Sequence, residues 1–333
     1  MLITEQKLRK DIFDEKNESV AIRVGFGLGL LEAAKKDERV VGLCADLVES
    51  TKMEDFAKEF PKRFFEVGVA EQNLASVASG MAAMGKIPFI SSYAMFSPGR
   101  NWEQIRTTIC YNDVPVKIAG SHAGISVGPD GGTHQAVEDI ALMRVIPNMI
   151  VISPCDSVEA KKATLAAAGN DKPVYIRLAR EATPLITTEE TPFEIGKASR
   201  LFESSKTKNS VTIIATGALV FNALRVAQKF EAEGVGVIVI NLSTIKPLDK
   251  KTILEAVKET KAAVTVEEHQ IAGGMGSAVA EFLAQTFPVP MDFVGVNDVF
   301  GQSGKPQQLI EHYGMGEDSI YNAVNNVLRR KHD

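Results

Sequence analysis

The chain has 333 residues, which at roughly 100 to 200 residues per domain points to two domains and excludes one small core. Its 37 Lys and Arg against 42 Asp and Glu give a net charge of -5, with neither sign gathered into a tail, which argues against a nucleic-acid partner and for a small molecule or another protein. Hydrophobic residues at 45% and charged residues at 24% are the balance of a folding globular chain, and no apolar run approaches the roughly 20 residues of a membrane span.

The opening segment MLITEQKLRKDIFDEKNE is charged throughout and lacks the apolar core of a signal peptide, so a cytoplasmic location is expected. Cys44, Cys110 and Cys155 are odd in number, widely spaced and set in apolar segments; they read as buried thiols rather than disulfide or metal partners. From about residue 20 short β-branched runs alternate with helical stretches, the pattern of parallel α/β architecture. VAIRV (20–24) reads as a short first strand, and after it the runs VVGLCAD (40–46), KIPFISS (86–92), VPVKIAGS (114–121), MIVISP (149–154) and PVYIRL (173–178) are nearly continuous in apolarity. They therefore read as strands buried on both faces. Gln72 to Met84, rich in Ala, Ser and Gly, reads as a helix that approaches its neighbours closely.

Between Glu181 and Thr207 the text turns to Thr, Glu, Ser and Pro without a period, and reads as a linker with an edge hairpin. The expected division is 1–190 and 191–333. Beyond it the alternation resumes: strands VTIIATG (211–217), VGVIVINL (235–242), AAVTVEE (262–268) and MDFVGV (291–296), with helices from about 219, 249 and 274. The expected fold is α/β, two domains, each a mostly parallel sheet flanked by helices.

Three glycine-bearing stretches bear on function. GFGLG (25–29) does not complete a dinucleotide spacing and reads as helix packing. GGMGSA (273–278) opens a helix; either it is a tight βα turn needing glycine torsions, or its N–H groups hold an anion. SHAGISVGPDGGTHQAVED (121–139) follows a strand directly, so it lies where ligands bind in a doubly wound sheet, and it carries His122, Asp130 and His134. In FFEVGVAEQN (64–73), Glu71 falls between a strand-like run and an Ala-rich helix. It either serves as a buried carboxyl with a chemical task or complements the helix dipole.

Together these segments resemble the thiamin-diphosphate enzymes of the transketolase group, over the pyrimidine-binding and C-terminal domains. FEVGVAEQN resembles the segment whose glutamate contacts N1′ of the cofactor's aminopyrimidine, which implies that role for Glu71. GSHAGISVGPDGGTHQ resembles the transketolase loop with two histidines and an aspartate, here His122, Asp130 and His134. GLCADLVES is similar to the segment with a cofactor-side aspartate and a phosphate-contacting serine, implying Asp46 and Ser50. SSYAMF falls where the family presents aromatics to the aminopyrimidine, implying Phe96 as the stacking ring and Tyr93 as its neighbour. Arg23 and Arg180 match phosphate-binding arginines of the family, although either alone is as readily a surface or ion-pair residue.

The family's GDG and downstream Asn, which bind the diphosphate and Mg2+, are not found in this sequence. The resemblance therefore implies a split enzyme, in which an N-terminal partner subunit carries the diphosphate and metal ligands and this chain holds no metal itself. It further implies sugar-phosphate substrates and a homodimer of this chain, completed by two partner chains into an α2β2 heterotetramer. Implied catalytic residues are Glu71, His134 and His122, with Asp130 on a sugar hydroxyl. The rival readings are the beta subunit of a 2-oxo acid dehydrogenase, a deoxyxylulose-phosphate-synthase-like half and a non-catalytic interaction subunit. The polar loop with His122 and Asp130 suits a polyhydroxy substrate better than an oxo acid.

Overall fold

A computed structural model describes residues 1–204, 207 and 209–332; Ser205 and Lys206 of the expected linker, and the terminal Asp333, lie outside the described residues. The strands are β1 (Ser19–Ala21), β2 (Val40–Cys44), β3 (Phe64–Glu66), β4 (Ile87–Tyr93), β5 (Lys117–Ser121), β6 (Ile150–Ile152) and β7 (Val174–Leu178). After these come β8 (Ala182–Pro184), β9 (Ser199–Glu203), β10 (Ser210–Ala215), β11 (Gly236–Asn241), β12 (Thr244–Lys246), β13 (Ala263–Gln270) and β14 (Met291–Val296). A seven-stranded sheet runs β12-β6-β7-β5-β4-β2-β3, and a five-stranded sheet runs β14-β13-β10-β11-β9. Each is parallel except at one edge, where β12 lies antiparallel to β6 and β9 antiparallel to β11. Every residue of β2, β5 and β7 is buried, as expected of strands with helices on both faces.

The two sheets are fastened together. β12, which follows the second sheet's β11 in the chain, completes the edge of the first sheet. Ile118 and Tyr175 of the first sheet share one apolar cluster with Ile214 and Ile240 of the second. Beneath it the guanidinium of Arg177, 5% exposed, donates through Nε to Asp139 Oδ2 at 2.9 Å and through Nη2 to the carbonyl of Glu268 at 2.7 Å. The Tyr175 hydroxyl donates to the same Asp139 oxygen at 2.7 Å.

Two expectations are corrected. VAIRV is not a strand: β1 stops at Ala21, and Ile22–Lys36 is a helix whose Ile22, Phe26 and Leu30 are buried at the four-residue spacing of a helix face. Arg23 therefore springs from a first helical turn. The segment 181–204 holds no hairpin either, because β8 pairs with β1 and β9 with β11. Composition marked the irregular backbone there but carried no information about which strand would accept each piece. The GFGLG stretch does serve packing: a Cβ on Gly25 would meet Ser157 O at 1.8 Å and one on Gly29 would meet Thr164 Cβ at 2.7 Å, so helix Ser157–Ala168 can lie directly on it. All three cysteines are buried and free. Among the described residues no helix is long and apolar enough to cross a membrane.

The Arg177–Asp139 pair yields a stability prediction. Asp139 is 1% exposed, so Asp139→Ala strands a buried guanidinium and should cost about 3–5 kcal/mol. Urea unfolding of the purified chain measures it; a loss below about 1 kcal/mol, the scale of an exposed pair, would show that water reaches Arg177.

Candidate active site

In an open parallel sheet the loops beyond the carboxyl ends of the strands form the natural crevice. The sequence-identified residues gather there: Asp46 follows β2, Glu71 follows β3, Tyr93 ends β4, His122 follows β5 and Arg180 follows β7. Most of them form one continuous row. Arg23 Nη1 lies 2.8 Å from His122 Nε2 and donates to the carbonyl of Ser50 at 2.6 Å. The rings of His122 and Tyr93 are 4.1 Å apart between centroids. Tyr93 and Phe96 both approach His134 edge-on, at 6.0 and 5.4 Å. The Arg100 guanidinium lies over the Phe96 ring, 4.6 Å from its centroid, and its Nη1 is 3.5 Å from Glu71 Oε2.

Each end of the row has its own electrostatics. At the Arg23 end, Arg180 Nη1 donates to Asp130 Oδ1 at 3.1 Å and to the Val127 carbonyl at 2.8 Å. His122 is 2% exposed; burial, then the charges of Arg23 and Arg180, push its pKa down to about 3. Because Arg23 can only donate, His122 Nε2 accepts and the proton sits on Nδ1, a buried atom with no partner. His122 is also held in the left-handed backbone region, φ 56°, at a cost of order 1 kcal/mol for a residue with a Cβ. Desolvation and charge repulsion on Arg23 are likewise visible, its pKa being lowered by burial and then by Arg180.

At the other end Glu71, 4% exposed, opens helix Glu71–Ala83. Its backbone carbonyl accepts from Asn101 Nδ2 at 3.0 Å, and Asn101 also donates to Ser97 Oγ at 3.1 Å. Glu71 lines a cavity of about 420 Å³ together with Val69, Ala70, Gln72, Asn73 and Arg100. His134 Nδ1 is 3.0 Å from Thr133 Oγ1, which leaves Nε2 as the nitrogen available for proton transfer. Asp46 stands outside the row: it is exposed, at φ 58°, and its N–H donates to Glu66 Oε1 at 2.8 Å. Ser50 reaches the row through its carbonyl.

Sequence reading missed Arg100, which links Glu71 to Phe96. The available signal was the four-residue spacing from Phe96, closed by Arg100 N–H donating to the Phe96 carbonyl at 2.8 Å. The anion considered for GGMGSA belongs to the chain itself: Glu267 Oε2 and Oε1 accept from the N–H groups of Met275 and Gly276 at 2.7 and 2.8 Å. Among the described residues no group of three or more His, Cys, Asp or Glu side chains is placed to hold a metal ion.

The His122 environment sets a pH prediction. An unfolded histidine titrates near 6.5 and this one near 3, so the unfolded chain binds more protons between those values. The stabilising contribution is complete above pH ~6.5 and is lost as pH falls toward 3. Imidazole NMR of the isolated chain should show one ring, removed by His122→Asn, that stays neutral from pH 8 to 5; a midpoint near 6.5 for that ring would refute its burial beside the two guanidiniums.

The family model for the transketolase pyrimidine-binding domain matches residues 18–185, and that for the transketolase C-terminal domain matches residues 196–320. A protein of Methanocaldococcus jannaschii described as a transketolase C-terminal section is 44% identical, over 93% of this chain and 97% of its own. A 6-deoxy-6-sulfo-D-fructose transketolase subunit of a Clostridium species is 41% identical, over 96% of this chain and 98% of its own. A solved split-gene transketolase in an inactive beta4 tetramer superimposes with a TM-score of 0.86 at 45% identity, covering 94% of this chain and 99% of that one. With both domains matched and near-full-length relatives at this identity, the chain belongs to the transketolase family.

Proposed function

We propose that this chain is the C-terminal subunit of a split, thiamin-diphosphate-dependent transketolase, which together with an N-terminal partner subunit moves a two-carbon ketol unit from a ketose phosphate to an aldose phosphate. One observation carries the reading: the row along the carboxyl edge of the sheet, with buried Glu71 at one end, two guanidiniums at the other and two histidines between. The relatives' descriptions as a C-terminal section, a subunit and a split-gene product support the division into two chains. Residues 1–190 would form the pyrimidine-binding domain and 191–333 the C-terminal domain, in a cytoplasmic enzyme.

The Glu71 end fits the cofactor's aminopyrimidine. Buried Glu71 lines a cavity of about 420 Å³ together with Arg100, and the Arg100 guanidinium joins it to the aromatic ring of Phe96, which stacks in turn on Tyr93 with centroids 6.3 Å apart. Glu71, Phe96, Tyr93 and Asp46 are the residues of this chain assigned to hold it, while the diphosphate and its Mg2+ are assigned to the partner. Thiamin diphosphate, when bound, supplies the carbon nucleophile and the electron sink for breaking and forming the ketose carbon–carbon bond. Glu71 holds a proton at the pyrimidine N1′. Asn101, by bonding the Glu71 carbonyl, fixes the helix turn that aims the carboxyl.

The histidines then divide the proton work by their surroundings. His134 exchanges a proton through Nε2 with the hydroxyl or carbonyl oxygen of the sugar. His122, kept neutral, presents Nδ1–H and serves as a hydrogen-bond donor to that oxygen. Asp130 accepts from a sugar hydroxyl; a carboxylate repels an alkoxide, so its task is orientation. Arg23 and Arg180, with Ser50 holding the first in place, bind the anionic end of the substrate, where bidentate guanidinium contacts suit phosphate. A sulfonate would meet the same donors, so the sulfosugar named in one relative's description favours a second reading of the substrate within the same reaction.

Assembly is proposed as a homodimer of this chain completed by two partner subunits into an α2β2 heterotetramer. The test mixes this chain with a candidate partner bearing GDG and a downstream Asn, thiamin diphosphate and Mg2+, and follows aldose-phosphate extension by two carbons. The expected result is transfer by the mixture and none by this chain alone. Activity of this chain alone would overturn the split reading, and its absence with every such partner would overturn the transketolase reading. In the active mixture Glu71→Gln should lower kcat about 100-fold or more with the melting temperature retained, because an amide cannot carry the proton; near-normal turnover would return Glu71 to a helix-terminal role.

A further inference from the structure

The loop bearing His122, Asp130 and His134 belongs to the first domain, but a side chain from the second holds its middle. Glu268, near the carboxyl end of β13, is 3% exposed, and its Oε1 accepts from the Ser126 N–H at 2.6 Å. That N–H lies in the first turn of the 3-10 helix Ile125–Asp130, where backbone donors lack partners within the helix. Gly124, two residues earlier, is shaped around the same carboxyl: its φ is 92°, and a Cβ there would meet Glu268 Oε1 at 2.3 Å. The loop is closed on itself by Gly124 N–H donating to the Ala136 carbonyl at 2.8 Å. A second tie to the same domain runs from Gln135 Nε2, which reaches the carbonyls of Ile125 at 3.1 Å and Gln302 at 3.0 Å.

We infer that Glu268 is a positioning residue of the C-terminal domain, which through the Ser126 N–H sets where the loop presents His122, Asp130 and His134 to the substrate. The inference rests on the transketolase reading for its catalytic consequence, though not for its structural one. Packing alone does not call for a carboxyl here. An apolar side chain of the same length would fill the space without the desolvation cost of a buried acid, but would leave the Ser126 N–H unpaired and the turn free to rotate. Misplacement of a reacting group by about 1 Å costs on the order of 100-fold in rate, so the position of this one turn matters to a site whose histidines lie on either side of it.

Two variants separate acceptor from volume. Glu268→Gln keeps an oxygen at the same reach, and Glu268→Met keeps the length without an acceptor. In the isolated chain, amide hydrogen exchange over residues 122–134 should be about 10-fold faster in the Met variant and unchanged in the Gln variant, with exchange in β10 and β11 unaltered in both. In the active complex, the Met variant should lose about 10-fold in kcat, the Gln variant little, and KM for the phosphorylated sugar should change less than kcat. If the Met variant does not fold, Glu268→Asp, which withdraws the oxygen by one methylene, carries the same expectation. Equal exchange of the loop in wild type and the acceptor-deficient variant, or equal behaviour of that variant and the Gln variant, overturns the inference. Faster loop exchange in the Met variant, with a wild-type chain that shows no ketol transfer with any partner, would instead overturn the transketolase reading and leave the positioning role supported.

Discussion

The buried guanidinium of Arg177 is the interaction on which the arrangement of the site depends. It reaches Asp139 at the end of the histidine loop, the Ala136 carbonyl within that loop and the Glu268 carbonyl in the second domain. A buried cation is tolerated only where its surroundings return the hydration it gives up, and here three separate segments supply that return. None of the three can shift without uncovering the charge. The loop is therefore bounded by a rigid anchor at its carboxyl end and by β5 at its start, with the Glu268 carboxyl holding the turn between them.

This anchoring explains how strained backbone persists at the front of the site. His122 in the left-handed region and an Nδ1–H with no protein partner are both unfavourable taken alone. They survive because the flanking strand and the loop closure over-determine the conformation. The dehydration of that unpaired buried donor is a cost met during folding. Arg23 plays a linked part, since it keeps the His122 proton on the ring nitrogen away from itself while the same Nη1 donates to the Ser50 carbonyl.

The buried strands were legible in the sequence because strands covered on both faces leave continuous apolar runs, and the His122–His134 loop was legible because glycines, histidines and an aspartate directly after such a run have few structural uses. VAIRV misled because three β-branched residues in five outweighed the four-residue spacing that Ile22, Phe26 and Leu30 complete only farther on. Nothing local singles out Glu267 and Glu268: two acids at a strand end carry no mark of their partners, and only the folded chain shows one capping a helix and the other holding a turn. Arg100 was hidden likewise, as its partners Glu71 and Phe96 lie on different elements and converge only through the helix start that Asn101 fixes. Local sequence carries burial and turn chemistry; it does not carry which distant donor a buried acid will meet.

The two carboxyls of β13 also show why the second domain belongs to the site while contributing no residue to the row. Glu267 satisfies the first turn of helix Met275–Thr286 within its own domain, whereas Glu268, the next residue on the strand, points across to Ser126. Successive side chains on a strand face opposite sides, so this pair of adjacent acids couples the domain's own packing to the placement of the neighbouring domain's loop. A displacement of β13 along its axis would loosen both at once. The register of β13 against β10, four paired residues from Ala263 to Val266 in parallel, therefore reaches the histidines through a single strand, and the geometry of the row is set as much by the core of the second sheet as by the loop that carries His122 and His134.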